Sequence, residues 1–249
     1  MKTGLPLSFL SLILLTAAGL ADAQQVPDPR VADLIRAGRV RVALLGGVAP
    51  GIAMDLARAF ATRLGIDVVT IEYATPAAVL ESLKAGACDV GFLVIDPARA
   101  AVVDFSPPYL ERDFTYLVPA GTKIRTAADA DQPGVRIAVV RTHASELALS
   151  RIVKHAELVR TESLDAAFDL LRGGNVEAFA SARRDLVKYS GQMPGSQVLA
   201  DRYGASFSAI AVPKGHAGRL AYVTEFLEEA KASGVVQRAL ERSGQGRGD

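Results

Sequence analysis

Apolar positions along the chain recur with two alternating periods. Arg39-Val40-Arg41-Val42-Ala43-Leu44-Leu45 reads as a strand. Ile52, Leu56, Phe60 and Leu64 then fall at four-residue spacing, one face of a helix over 52–64, with Gly65 behind it as a C-cap. Asp67 to Tyr73 is a second strand. Thr75-Pro76 supplies the N-cap and first position of another helix, which ends at Lys84-Ala85-Gly86 before a strand from Cys88 to Val94.

The unit then returns. Arg136-Ile137-Ala138-Val139-Val140 parallels Arg41-Val42-Ala43-Leu44-Leu45. Ser163 to Glu177 parallels Thr75 to Asp89 residue by residue: cap on cap, Phe168 on Leu80, Leu171 on Leu83, Arg172 on Lys84, Gly174 on Gly86 and Glu177 on Asp89. Any two α/β units look somewhat alike, but strand and helix recur in step, which favours two similar α/β lobes in one chain. Asp113 to Pro119 reads as a strand leaving the first lobe, and Phe207 to Pro213 as one returning to it. Helices over 217–230 and 235–241 follow, then a polar tail over 243–249. In open parallel sheets, ligands bind beyond the carboxyl ends of the strands, so two facing lobes predict one cleft between them.

Composition narrows the classes. Twenty-eight basic against 27 acidic residues leave a net charge of +1, without the basic excess of a nucleic-acid binder. A single cysteine, Cys88, excludes an intrachain disulfide and a Cys-rich metal site, and His143, His155 and His216 lack metal-ligand spacing. No cofactor and no metal is expected. At the start, Met1-Lys2-Thr3, an apolar stretch from Leu5 to Leu20 and Ala21-Asp22-Ala23 read as a secretory signal peptide cut after Ala23. A membrane anchor is the alternative, but Ser8, Ser11, Thr16 and Gly19 leave the apolar core short of the roughly 20 residues of a span.

Several segments together resemble the family 3 periplasmic solute-binding proteins. Gly51-Ile52-Ala53-Met54-Asp55-Leu56-Ala57 is similar to that family's Gly-x-x-x-Asp-Leu-Ala helix, and Leu83 to Asp89 to its Leu-x-x-Gly-x-x-Asp turn. Arg99 followed by Asp104-Phe105-Ser106-Pro107-Pro108-Tyr109 resembles its most recognisable segment. Leu171 to Phe179 resembles the second Gly turn, and Tyr203 to Gly215 the return strand. The resemblance implies a two-lobed Venus-flytrap of α/β class, the type II periplasmic binding fold with two hinge crossings. It places a discontinuous first lobe at 24–117 plus 206–249 and a second lobe at 118–205. It implies a monomer that carries a small-molecule ligand, of the amino-acid or organic-acid class, to an inner-membrane ABC permease. Some members are receptor domains, and a few are enzymes such as periplasmic cyclohexadienyl dehydratases.

Arg99 is the leading candidate for ligand binding. Asp96-Pro97 reads as N-cap and first position of a short helix, which sets Arg99 beside the strand end at Val94, where a guanidinium can grip a carboxylate bidentately. A surface ion pair is the reading without the motif; the family's carboxylate-binding arginine matches this position. Arg141-Thr142-His143 precede a helix starting near Ala144, whose free N–H groups attract anions. Thr142 matches the family's hydroxyl position. Arg141, where the family has glycine, either adds a second cation to the cleft or points to solvent, and His143 either touches ligand or caps the helix.

Departures from the family bear on the ligand. Many amino-acid binders carry an aspartate for the ligand ammonium where this chain has Ala182, flanked by Ser181 and Arg183. An ammonium shut in a cleft without a counter-charge is penalised by desolvation. Gly46 to Pro50 is a shortened loop lacking the family's aromatic lid residue, and the chain has no tryptophan. These features point to a small anion bound through Arg99, Arg141, Thr142, His143, Val94 and Ser181. Two other readings stay open. A dehydratase needs a general acid where Ala182 stands. A sensor that has lost transport fits the shortened loop.

Overall fold

A computed structural model describes residues 27–46 and 51–243. The expected leader, positions 47–50 of the shortened loop and the tail beyond Ser243 lie outside the described residues.

In the first half, α1 (Ala32–Ala37) leads into β1 (Arg39–Leu45), α2 (Ile52–Leu64), β2 (Asp67–Tyr73), α3 (Pro76–Lys84) and β3 (Val90–Val94), followed by the short α4 (Pro97–Ala100) and β4 (Val103–Phe105). Strand β5 (Leu110–Val118) crosses to the second half, which comprises β6 (Arg136–Val140), α5 (Ala144–Leu149), β7 (Glu157–Thr161), α6 (Leu164–Arg172), β8 (Ala178–Ala182), α7 (Arg183–Ser190) and β9 (Gln197–Val198). Strand β10 (Gly204–Pro213) returns, and α8 (Ala217–Ala232) and α9 (Val235–Arg242) complete the first half.

Local chemistry places the helix ends where the sequence puts them. The Thr75 hydroxyl accepts the Ala78 N–H at 3.2 Å and the Ser163 hydroxyl accepts the Ala166 N–H at 3.1 Å. Gly65 closes α2 at φ 66°, a left-handed conformation that a side chain resists.

The sheet runs β2-β1-β3-β10-β5-β8-β6-β7. On one side β1 pairs in parallel with β2 and β3; on the other, β6 pairs in parallel with β7 and β8. The two halves thus repeat one strand order outward from the centre. Between them β5 and β10 pair antiparallel from Gly204↔Phe114 to Ser208↔Leu110.

Each half is buried on both faces, as parallel sheets require. Val42 and Leu44 of β1 face a cluster built on Leu56, Phe60 and Phe226, while Ala43 faces Val79 and Leu83 across the sheet. Ile137 and Val139 of β6 likewise face Tyr116 and Leu149, while Ala138 faces Phe168 and Leu171. Strand β5 changes allegiance along its length: Leu110 packs on the first core, and Tyr116 and Val118 belong to the second. The molecule is therefore two α/β lobes joined by two antiparallel crossings, the fold class expected. Both crossings are longer than the sequence suggests, because their inner ends, Leu110-Glu111-Arg112 and Gly204-Ala205-Ser206, are too polar or too small to show a strand period.

No helix among the described residues is long and apolar enough to cross a membrane.

Candidate functional site

The carboxyl ends of β1 and β3 and the loop after β6 open on one cleft of about 550 Å³. This is where the strand-end rule for α/β sheets places a ligand. The first lobe contributes Val94, Asp96 and Arg99; the second contributes Thr142, Leu147 and Arg151. The crossing strands form the floor, with Arg112 and Phe114 from β5 and Ser206 and Ser208 from β10.

Arg99 is positioned as its local sequence dictates. The Asp96 carboxylate accepts the Ala98 N–H at 2.9 Å and starts α4. One turn on, Arg99 Nη1 donates to the Val94 carbonyl at 2.9 Å, which holds the guanidinium against the strand end. The guanidinium has further N–H donors in the same plane, the geometry that a carboxylate accepts in pairs.

Arg112 lies two residues before Phe114 on the same face of β5, and Ser206 is its partner on β10. Burial pushes its pKa down; nearby Tyr109 and Asp185 oppose this, and the Arg184 cation adds to it. Tyr109, itself buried, has its hydroxyl pKa pushed up to about 12, chiefly by desolvation. A desolvated guanidinium in the floor favours negative charge above it.

Among the acids lining the cleft, the Asp96 carboxylate caps α4 and Glu72 is exposed at the end of β2. The apolar surface comes from Phe92, Phe114, Leu147 and Phe207 among others, with Leu147 49% and Phe207 36% exposed. Among the described residues, no cluster of His, Cys, Asp or Glu could hold a metal ion.

Three of the six residues singled out from the sequence, Val94, Arg99 and Thr142, come together on the cleft wall. The other three do not line it. Arg141 turns to the surface, where its Nε donates to Glu162 Oε1 at 2.9 Å. His143 is the N-cap of α5, with its Nδ1 2.7 Å from Ser145 Oγ and accepting the Ser145 N–H at 3.4 Å. That N–H, expected to await an anion, is taken up by the imidazole. Ser181 is fully buried on β8 opposite Thr115 of β5, away from the cleft.

Arg112 and Arg151 were missed. The signal for Arg112 was its place in the alternating set Arg112, Phe114 and Tyr116, lost when the crossing strand is read from Asp113. Arg151 lies beyond the end of α5, and Leu147 one helical turn before it offers only a faint sign of a shared face.

The model of bacterial extracellular solute-binding proteins, family 3, matches residues 46–245. Solved structures share the fold. An ancestral cationic amino acid solute-binding protein superposes with a TM-score of 0.68 at 25% identity, covering 85% of this chain and 98% of that one. An ancestral amino acid-binding protein that is a precursor of cyclohexadienyl dehydratase gives 0.62 at 25% identity, covering 85% and 97%. An amino acid ABC transporter substrate-binding protein from Streptococcus pneumoniae, bound to L-arginine, gives 0.60 at 22% identity, covering 86% and 97%. No curated protein sequence matches. With a family model spanning most of its length and a two-lobed fold shared with amino-acid-binding structures, the chain belongs to the family 3 bacterial extracellular solute-binding proteins.

Proposed function

We propose that the protein captures a small anionic organic solute in the cleft and delivers it to an inner-membrane ABC importer, working in the periplasm after export through its leader. The observation that carries this reading is the charge of the cleft. Arg99, Arg112 and Arg151 line it from the first lobe, the floor and the second lobe. Of the two lining acids, Asp96 is engaged as a cap.

Relatives whose ligands are cationic amino acids need a counter-charge for an ammonium. Here the expected position for it is Ala182, a buried methyl at the N-cap of α7. An anion needs no such partner, and guanidinium groups in a partly desolvated cleft bind it through charge-assisted hydrogen bonds. A solute touching both lobes favours their closed arrangement, the state a permease can distinguish from the empty one.

The same reading makes the chain a binder rather than a dehydratase. Ala182 has no proton to donate where a general acid would stand. Prephenate turnover by purified protein would reverse this.

Thermal unfolding against a panel of organic acids and amino acids tests the proposal. Ligands that bind only the folded state raise the midpoint. Organic acids are expected to raise it and Arg99→Ala to abolish the rise; a rise with lysine or arginine alone, insensitive to Arg99→Ala, contradicts the reading.

A further inference from the structure

We infer that the cleft selects an acid with two negatively charged ends, the first held by Arg99 in one lobe and the second by Arg151 in the other. The inference rests on the anion-binding reading above and sharpens it from an anion to a two-headed one.

Arg99 and Arg151 line the same cleft, one from each lobe. Neither has an acid partner among the described residues. Arg99 spends one N–H on the Val94 carbonyl, and the exposed Arg151 side chain makes no hydrogen bond or ion pair with a described residue. Other arginines of the second lobe are engaged: Arg136 with Glu177, Arg141 with Glu162 and Arg160 with Glu146. A cation on a ligand-facing wall, without a carboxylate partner among the described residues, is suited to a carboxylate brought from outside.

The same cleft carries apolar surface of matching character. Leu147 lies one helical turn before Arg151 and is 49% exposed, and Phe207, 36% exposed, lies on the crossing strand. A hydrocarbon spacer would cover both, removing apolar surface from water while the charged ends stay hydrogen-bonded. Arg112 also lines this cleft, from its floor.

Closure gives the second contact its effect. An acid held at both ends bridges the lobes, through Arg99 in the first and Arg151 in the second, and so favours their closed arrangement. A monoacid therefore binds without the contact that favours the closed state, and a diacid of suitable length binds and closes.

Calorimetry on the purified full chain tests this with two matched series: adipate, pimelate and suberate against hexanoate, heptanoate and octanoate. The best diacid is expected to bind about tenfold or more tighter than its monoacid, the effect of one added charge-assisted contact. Arg151→Ala, at an exposed position and checked for folding by circular dichroism, should erase that ratio; Arg151→Lys should keep part of it. Equal affinities for matched mono- and diacids in the wild type, or a ratio untouched by Arg151→Ala, overturn the two-headed ligand. Either result leaves the anion reading standing if Arg99→Ala still abolishes acid binding. Binding of no acid in either series overturns both.

Discussion

Asp89 holds Arg41 through three hydrogen bonds: from the Arg41 backbone N–H at 2.8 Å, from Nε at 3.0 Å and from Nη2 at 2.7 Å. Glu177 repeats the clasp on Arg136, with bonds at 2.7, 3.3 and 2.7 Å. In both lobes an acid just before one strand is thus locked to an arginine near the start of its parallel neighbour. The two clasps differ in depth. Asp89 is only 6% exposed and also lies 3.8 Å from the buried Arg219, whereas the Glu177 side chain is 37% exposed.

Depth should decide their worth. Removing a buried partner strands a desolvated charge, so Asp89→Ala is expected to cost about 3 kcal/mol or more. Glu177→Ala should cost roughly 0.5–1 kcal/mol, the range of a solvent-screened pair. Urea denaturation of both variants checks this, and equal losses would contradict the assigned depths.

The imidazole of His143 makes stability pH-dependent. Burial lowers its pKa from 6.5; Asp185 opposes the shift and the Arg112 cation adds to it. A depressed histidine is neutral in the folded protein, and its contribution is complete above the unfolded value. As pH falls below about 6.5 the unfolded chain takes up the proton first, and stability declines until the folded pKa is passed. Protonation also removes the Nδ1 acceptor that caps α5. His143→Asn, which keeps a capping oxygen, should flatten the stability slope between pH 7 and pH 5. An unchanged slope in thermal melts would show that another group sets it.

Thr142 is the one described non-glycine residue with positive φ, at 60°. Left-handed backbone costs a β-branched residue about 1–3 kcal/mol. The Thr142 hydroxyl offsets part of this by donating to the Arg141 carbonyl at 2.7 Å. Thr142→Gly should therefore raise stability by about 1 kcal/mol, net of glycine's greater unfolded entropy. A fall in the denaturation midpoint would mean that the hydroxyl bond outweighs the strain.

Ser181 carries a fully buried Oγ with no hydrogen-bond partner among the described residues. Leaving such a group unsatisfied costs about 1–3 kcal/mol, so Ser181→Ala should stabilise the fold by about 1 kcal/mol and leave ligand affinity unchanged. Weaker binding in this variant would restore Ser181 to the site.

Much of the fold was legible because caps and glycines fix element ends locally. Thr75, Ser163 and Gly65 act where the sequence places them. Elements held by tertiary packing were not legible. Helix α7 buries only Leu186 and Tyr189 of its eight residues, too few to show a period. Strand β3 begins at Val90 rather than Cys88, because the Cys88 N–H still donates back to the Ser82 carbonyl of α3. Within the site, Arg99 could be read because Asp96-Pro97 sets its helix. Arg112 and Arg151 could not, because which cavity a side chain faces depends on how the two halves are joined. The turn at Arg141-Thr142 shows the converse: its residues are readable, but the left-handed Thr142 sits between one side chain sent to the surface and another taken up as a cap.

A crystal structure with the tightest-binding organic acid tests the central claim most directly. The account predicts a carboxylate within about 3 Å of the Arg99 guanidinium nitrogens, with the second lobe folded over the acid. An acid bound elsewhere, with Arg99 still bonded to the Val94 carbonyl alone, would contradict it.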